Sequence, residues 1–335
     1  MRYQLEGDTL ESLNKRFSSL LVCLNCLYLI DDRYRWIAKP VIGDEYDINN
    51  ASKDGEGYGK SDDEHNLLTK PQVVVLEVKH IKKEMLHTEA LIKLSEHRKD
   101  IHSFLNAGPQ ELTMVLASCG LFTSALKLAK GFDMSLLPIF DSLAAACVRT
   151  ADENPTDAWD WLQENDLADL PHRNKASDMA WSLLQKLVED NETETSTQIR
   201  KSVANKLLSL HAFVPLWLQN SYKLSNCSEL LRLYVKHNRL LEAAELAQEM
   251  ISAMLGAGSE YFSFKHSIAV TNPEMCLPLN SIDLLLHGLQ LNNDDIEYRQ
   301  AQAELQDKLH KYIETATRTA QDKIEMSFQV NRERQ

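Results

Sequence analysis

Two cysteines near the start of the chain have the spacing that is used at zinc and redox sites. Cys23 and Cys26 are three residues apart, as in the CxxC pairs of zinc ribbons and thiol oxidoreductases. They lie inside an apolar stretch, with no second cysteine pair and no histidine at zinc-finger spacing. We therefore predict that both cysteines belong to the buried core of a helix and that neither binds a metal.

Two further groups could hold a metal ion or a phosphate. His80, Glu84 and His87 could share one face of a helix, but the histidines are two turns apart and no third strong ligand is near. The glycine run at residues 55–59 lacks GxGxxG spacing and a strand before it. The sequence has no nucleophile elbow, P-loop or kinase signature. We predict no catalytic, cofactor-binding or metal-binding residue, and no enzymatic activity.

The composition of the chain indicates which kind of secondary structure surrounds these residues. The chain has 335 residues with 44% apolar and 25% charged residues, and its 11 Gly and 9 Pro are too few for an all-β fold. The formal net charge of −13 repels phosphate backbones and anionic lipids, so we predict no direct nucleic-acid binding and no membrane insertion. Six scattered cysteines form no disulfide framework, which favours a cytosolic or nuclear setting.

The first hundred residues contain two predicted helices that are separated by a loop. Apolar residues at spacings of three and four predict one long helix over residues 9–30. The acidic, glycine-bearing residues 43–69 predict a flexible loop. Residues 72–78, QVVVLEV, are β-branched and predict a short extended segment, with no second convincing strand to pair with it. Residues 77–99 predict a second helix.

Two later stretches, residues 111–132 and 229–250, superpose with a constant offset. The pairs include Leu112 with Leu230, Gly120 with Asn238, Ala125 with Ala243 and Leu128 with Leu246. Glycine and asparagine tolerate a left-handed conformation, so both breaks predict helix C-caps. Small alanines after each break allow two helices to approach closely. The predicted fold is therefore all-α, an irregular α-solenoid of stacked helical hairpins.

The rest of the chain follows the same pattern, and no clean domain boundary is visible, so we predict a single helical region over residues 1–335. Further helices are predicted at residues 134–149, 156–165, 177–189, 195–210, 215–221 and 281–289, followed by a long C-terminal helix at about 294–326.

The C-terminal helix has a narrow apolar stripe that is suited to docking on another protein. Its predicted partner-binding residues are Leu305, Leu309, Tyr312, Ile313 and Ala316. Charged residues surround the rest of the helix. The stripe could equally cap the end of the solenoid against residues 284–289.

Several short segments, taken in their order along the chain, are distinctive. They are LNCLYLI, GLFTSALKLAKGF, VPLWLQNSYK, ELLRLYVKHNRLLEAAELA, GSEYF, LPLNSIDLLL and KYIETATR, and together they run from about Leu20 to Arg318. This set resembles the C-terminal helical region of the nucleoporin 160 family, the large scaffold subunits of the Y-shaped nuclear pore subcomplex. The family's fold implies an α-solenoid that follows an N-terminal β-propeller, and we expect this chain to lack the propeller.

The resemblance implies a non-catalytic structural role in the outer rings of the nuclear pore, at the nuclear envelope, in support of nucleocytoplasmic transport and mRNA export. The implied partners are nucleoporin 85, nucleoporin 96 and their small β-propeller companions. The alternative from the helical pattern alone is a solenoid subunit of a vesicle coat or tethering complex, which would have the same hairpins and different partners.

Overall fold

The computed structural model describes residues 2–40, 73–98, 100–152, 155–168, 170, 174–192, 197–257, 262, 277–292 and 294–333. These residues form thirteen α-helices, two short 3-10 helices and one two-stranded sheet. The α-helices and strands are α1 (Arg2–Tyr28), β1 (Trp36–Pro40), β2 (Val73–Glu77), α2 (Val78–His97), α3 (Pro109–Ser118), α4 (Phe122–Gly131), α5 (Leu137–Asp152), α6 (Pro155–Gln163), α7 (Ala176–Asn191), α8 (Gln198–Ser209), α9 (Leu216–Ser225), α10 (Cys227–Lys236), α11 (Leu240–Met254), α12 (Leu279–Leu291) and α13 (Ile296–Glu333). The predicted all-α solenoid class is confirmed.

The chain divides into two compact units. The first contains Met1–Ile139 and Asp160–Asp166, and the second contains Phe140–Trp159 and Leu167–Gln335. The interior helices predicted from periodicity are all present, with ends that differ from the predicted ones by a few residues. Helices α1 and α13 are longer than predicted: α1 begins at Arg2 and α13 ends at Glu333, each beyond the regular apolar stripe from which its bound was predicted. The predicted loop at 43–69 lies outside the described residues.

In the first unit, α1 packs on α2, and α2 also contacts α3 and α4. The α1–α2 contact buries Leu24, Leu27 and Ile81, and Cys23 packs against this cluster. Cys26, by contrast, is exposed. Cys23 is half-buried, in partial agreement with the prediction, whereas the prediction is wrong for Cys26. Cys26 directly precedes buried Leu27, so it lies about 100° around the helix from that side chain and away from the core.

A small sheet joins these two helices, and it corrects the prediction that β2 has no partner. Strand β1 pairs with β2 in antiparallel register, with Trp36 opposite Glu77 and Ala38 opposite Val75. The sequence of β1, WIAKP, is only five residues long and ends in proline, so it gives a weak strand pattern. Pairing with the β-branched strand β2 supplies the hydrogen bonds that make it extended.

The predicted helical hairpins are present, and the same motif ends the first helix of each. Gly120 has φ 81° and Asn238 has φ 57°. The amide of Leu121 donates to Leu116 O at 3.0 Å, and the amide of Arg239 donates to Tyr234 O at 2.9 Å. These are the long hydrogen bonds of Schellman motifs, so both predicted C-caps are confirmed. The same pattern ends α4, α8 and α11, with the left-handed residue being Asp133, His211 and Gly256 respectively.

The α3–α4 hairpin is also held by a residue far away in the sequence. Asn165 Oδ1 accepts the backbone N–H of Thr123 at 3.0 Å, near the start of α4. Its Nδ2 donates to Gly120 O and to Trp161 O, each at 2.8 Å. Asn165 is 6% exposed. Its side chain therefore serves as the N-terminal cap of α4 and also satisfies a carbonyl at the end of α3.

We expect Asn165→Ala to lower the free energy of unfolding by about 1–3 kcal/mol, because it leaves the partly buried N–H of Thr123 and the buried carbonyl of Gly120 without the side chain that they bind. The measurement is chemical denaturation of the whole chain. The matched control is Asn292→Ala, which removes an exposed asparagine that donates to Gly288 O at 2.9 Å. Equal losses of unfolding free energy in the two variants would show that burial of the Asn165 hydrogen bonds does not stabilise the fold.

In the second unit, α10 contacts α8, α9, α11 and α12, and α11 contacts α12 and α13. The seam of the α10–α11 hairpin contains Leu230, Ala243 and Ala247, each fully buried, with Leu246 nearly so. The small alanines allow the helix backbones to approach, as the sequence pattern predicted.

Candidate protein-interaction surface

The histidines and the carboxylate that were weighed as metal ligands have structural roles. His80 Nδ1 accepts the backbone N–H of Glu77 at 3.0 Å and so caps the start of α2. Glu84 forms an ion pair with Arg16. His87 Nε2 lies 3.0 Å from Ala107 O. Across the described residues, no group of three or more His, Cys, Asp and Glu side chains could hold a metal ion.

The buried cysteines have little nucleophilic character. Burial raises the pKa of the Cys147 thiol far above its usual range, and it raises the pKa of Cys227 to about 12. A thiol with such a pKa is protonated near pH 7, and only the thiolate is a good nucleophile. Both side chains are therefore packing residues of the second unit.

The first part of α13 belongs to the fold of the second unit. Leu305 is fully buried where α13 packs along α11. Beside it, Gln248 of α11 donates to Ala301 O at 3.5 Å and accepts from Lys308 Nζ at 3.2 Å. Leu305 was predicted to bind a partner, and this is a correction: the side chain has no exposed area to offer. The alternative, that the stripe caps the solenoid against residues 284–289, stays a prediction, and the contact of α13 with α12 supports it.

The predicted residues after Leu305 are all more accessible than Leu305. Leu309, Tyr312 and Ala316 are half-buried, and Ile313 is 51% exposed. The structure thus brings four of the five predicted residues to one helix face that other elements cover only in part. Exposed Ile324 lies three turns beyond Ile313 on this face, and the sequence analysis did not name it. Its spacing of eleven residues from Ile313 could have revealed it.

The opposite face of α13 is charged and internally paired. Lys311 Nζ lies 2.7 Å from Asp307 Oδ2, and Arg318 Nη2 lies 3.2 Å from Glu314 Oε1. Both pairs are four residues apart, so they stabilise the helix while this face stays in water. A helix with one charged, paired face and one apolar, partly covered face is suited to lie in the groove of another protein.

Comparison with known proteins gives this surface a context. The family model described as Nup160 C-terminal TPR matches residues 77–328, which include α2 to α12 and most of α13. The chain belongs to the Nup160 C-terminal family. This confirms the resemblance that was drawn from the short segments in the sequence.

Two curated relatives are similar along nearly the whole chain. The nuclear pore complex protein Nup160 homolog of Drosophila melanogaster is 55% identical over 328 residues, which is 98% of this chain. The nuclear pore complex protein Nup160 of Homo sapiens is 32% identical over 332 residues, or 96% of this chain. The chain spans 23% of the length of each of these Nup160 proteins.

Among the described residues, no helix combines the length and the apolar character that a membrane span requires.

Proposed function

We propose that this Nup160-family chain is a structural scaffold region of the nuclear pore complex at the nuclear envelope. It supports nucleocytoplasmic transport and mRNA export by docking to other nucleoporins and catalyses no reaction. The observation that carries the proposal is the family match over residues 77–328, together with 55% identity to a Nup160 homolog. No observation favours the alternative, a vesicle-coat or tethering subunit.

The proposed docking element is the partly covered face of α13, made of Leu309, Tyr312, Ile313 and Ala316. Its support is the contrast along one helix: Leu305 is fully buried within the second unit, while Ile313, two turns later, is half exposed. The proposed partners are nucleoporin 85 and nucleoporin 96, with their small β-propeller companions. An apolar stripe of this width fits a groove between two helices of a partner solenoid.

The test is co-purification of scaffold nucleoporins with the tagged chain that carries Ile313→Asp. We expect recovery of nucleoporins 85 and 96 to fall at least about tenfold, because a charge at the centre of an apolar contact has no partner. The melting temperature should stay close to that of the parent, since Ile313 is half exposed.

The matched control is Thr315→Asp, which adds the same charge at an exposed position two residues away and toward another face of α13. It should leave recovery unchanged. Full recovery with Ile313→Asp would contradict docking through this face. Recovery of vesicle-coat or tether subunits without nucleoporins would contradict the proposed function itself.

A further inference from the structure

The sheet of the first unit has one partly covered face, on which Val74 is still 47% exposed, and one exposed face. Ile37 of β1 packs against the α1–α2 core. Side chains alternate along a strand, so Trp36, Ala38 and Val75 lie on the other face. Trp36 is 48% and Val75 50% exposed. A two-stranded sheet is only marginally stable in water by itself, and an apolar face left open on it is typical of a surface that binds.

This face forms one wall of an open concavity of about 590 Å³. Tyr28, at the end of α1, and Val78, at the start of α2, line it together with Trp36 and Val75. The concavity is wide enough to take several side chains of a bound segment. It is separate from α13, which belongs to the other unit.

The charge of this concavity is opposite to that of the whole chain. Four cationic side chains and two carboxylates line it, and a third carboxylate, Asp31, pairs with Arg33, which leaves a local excess of one positive charge in a chain of formal net charge −13. The cationic residues are Arg33, Arg35, Lys79 and Lys82, and the acidic ones are Asp32 and Glu77.

Two of the cations are held in place by an aromatic ring. Arg35 Cζ lies 5.4 Å and Lys82 Nζ lies 5.3 Å from the centre of the Tyr28 ring. Arg35 also pairs with Asp32, whereas Lys82 is exposed and forms no ion pair with any described residue. Lys82 therefore offers a positioned charge beside an apolar surface, at little cost in side-chain entropy on binding.

We propose that this concavity, defined by Tyr28, Trp36, Val75 and Lys82, binds an acidic peptide segment of a partner protein. An apolar side chain of the segment covers Trp36 and Val75, and a neighbouring carboxylate pairs with Lys82. A nucleic acid is the less suitable occupant, because phosphate backbones are bound through long arrays of cations. Here three of the four cations already have an acidic partner: Arg33 pairs with Asp31, Arg35 with Asp32 and Lys79 with Glu77.

The test is fluorescence anisotropy of the whole chain with a labelled twelve-residue peptide in which glutamate alternates with valine and tyrosine. We expect binding in the micromolar range that weakens with added salt. Lys82→Glu should weaken it at least tenfold, and Trp36→Ala severalfold. The matched control is Lys93→Glu, an exposed lysine three turns along the same helix, and it should change the affinity by less than twofold. Equal melting temperatures of the two charge-reversal variants would exclude unfolding as the cause.

Three results would overturn the proposal. The first is no binding of the acidic peptide at millimolar chain concentration. The second is equal affinity for a version with lysine in place of glutamate, since this would leave the charge of the site without effect. The third is tighter binding of a twelve-nucleotide oligothymidine that is lost in Lys82→Glu, which would make the concavity a nucleic-acid site. None of these outcomes bears on the proposed docking of α13.

Discussion

Ala243→Glu is expected to lower the free energy of unfolding by at least about 3 kcal/mol, because it buries a carboxylate where only a methyl group fits. Ala243 has no exposed surface, and it lies in the seam between α10 and α11 next to fully buried Ala247. The glutamate has two unfavourable choices: it stays ionised without a partner, or it takes up a proton and still overpacks the seam. The measurement is the denaturation midpoint of the whole chain.

The matched control for this substitution is Ala303→Glu. Ala303 is exposed on α13, so the same change of residue type in a helix should cost less than about 0.5 kcal/mol. If both variants unfold at the midpoint of the parent, the alanine seam is not a close contact between the helices. A large loss in both would instead indicate that added negative charge, and not burial, destabilises this acidic chain.

Gly120→Ala is the second substitution with a large expected effect, about 2 kcal/mol or more. Gly120 has φ 81°, a conformation in which any Cβ is strained. A Cβ at this position would also lie 2.6 Å from Trp161 Cβ, so Trp161 or the turn must move. Trp161 packs edge-on against Phe122 with the ring centres 5.5 Å apart, which limits how far it can shift.

Gly108→Ala is the control, because Gly108 has φ −67° and nothing lies within 4 Å of its would-be Cβ. It should cost only about 0.5–1 kcal/mol, because Gly108 is the N-cap residue of α3, where alanine is less favourable than glycine. Thermal unfolding of both variants distinguishes strain at Gly120 from a general effect of replacing glycine by alanine. Similar midpoints for the two would mean that the α3–α4 turn relaxes easily and that the contact with Trp161 is not restrictive.

The hairpins could be predicted because their determinants are local. The two hairpin sequences align with a constant offset, which pairs Gly120 with Asn238. The Schellman hydrogen bonds at these positions join residues that are only three and five positions apart. The motif was missed at Asp133 and His211, because aspartate and histidine take up a left-handed conformation less often than glycine and asparagine do. At both positions the sequence marks the end of the helix only by the apolar residue that follows, and not by the type of the left-handed residue itself.

Contacts between residues that are far apart in the sequence could not be predicted from the same local patterns. Asn165 caps α4 from 42 positions away in the chain, and nothing in its neighbourhood in the sequence indicates this role. Strand β1 needed β2 to become extended, and the two are separated by residues that carry no strand pattern. In each case the decisive hydrogen bond joins groups that only the fold brings together.

The sequence by itself determined that this chain forms helical hairpins, where two of them turn, and that its last helix is amphipathic, since periodicity and left-handed residues act over a few positions. Only the tertiary structure decided how that amphipathic face is used. Leu305 and Ile313 belong to the same stripe, yet α11 buries the first and leaves the second half exposed. The apolar character of a side chain is set by its own atoms, whereas its burial depends on which surface the fold places against it.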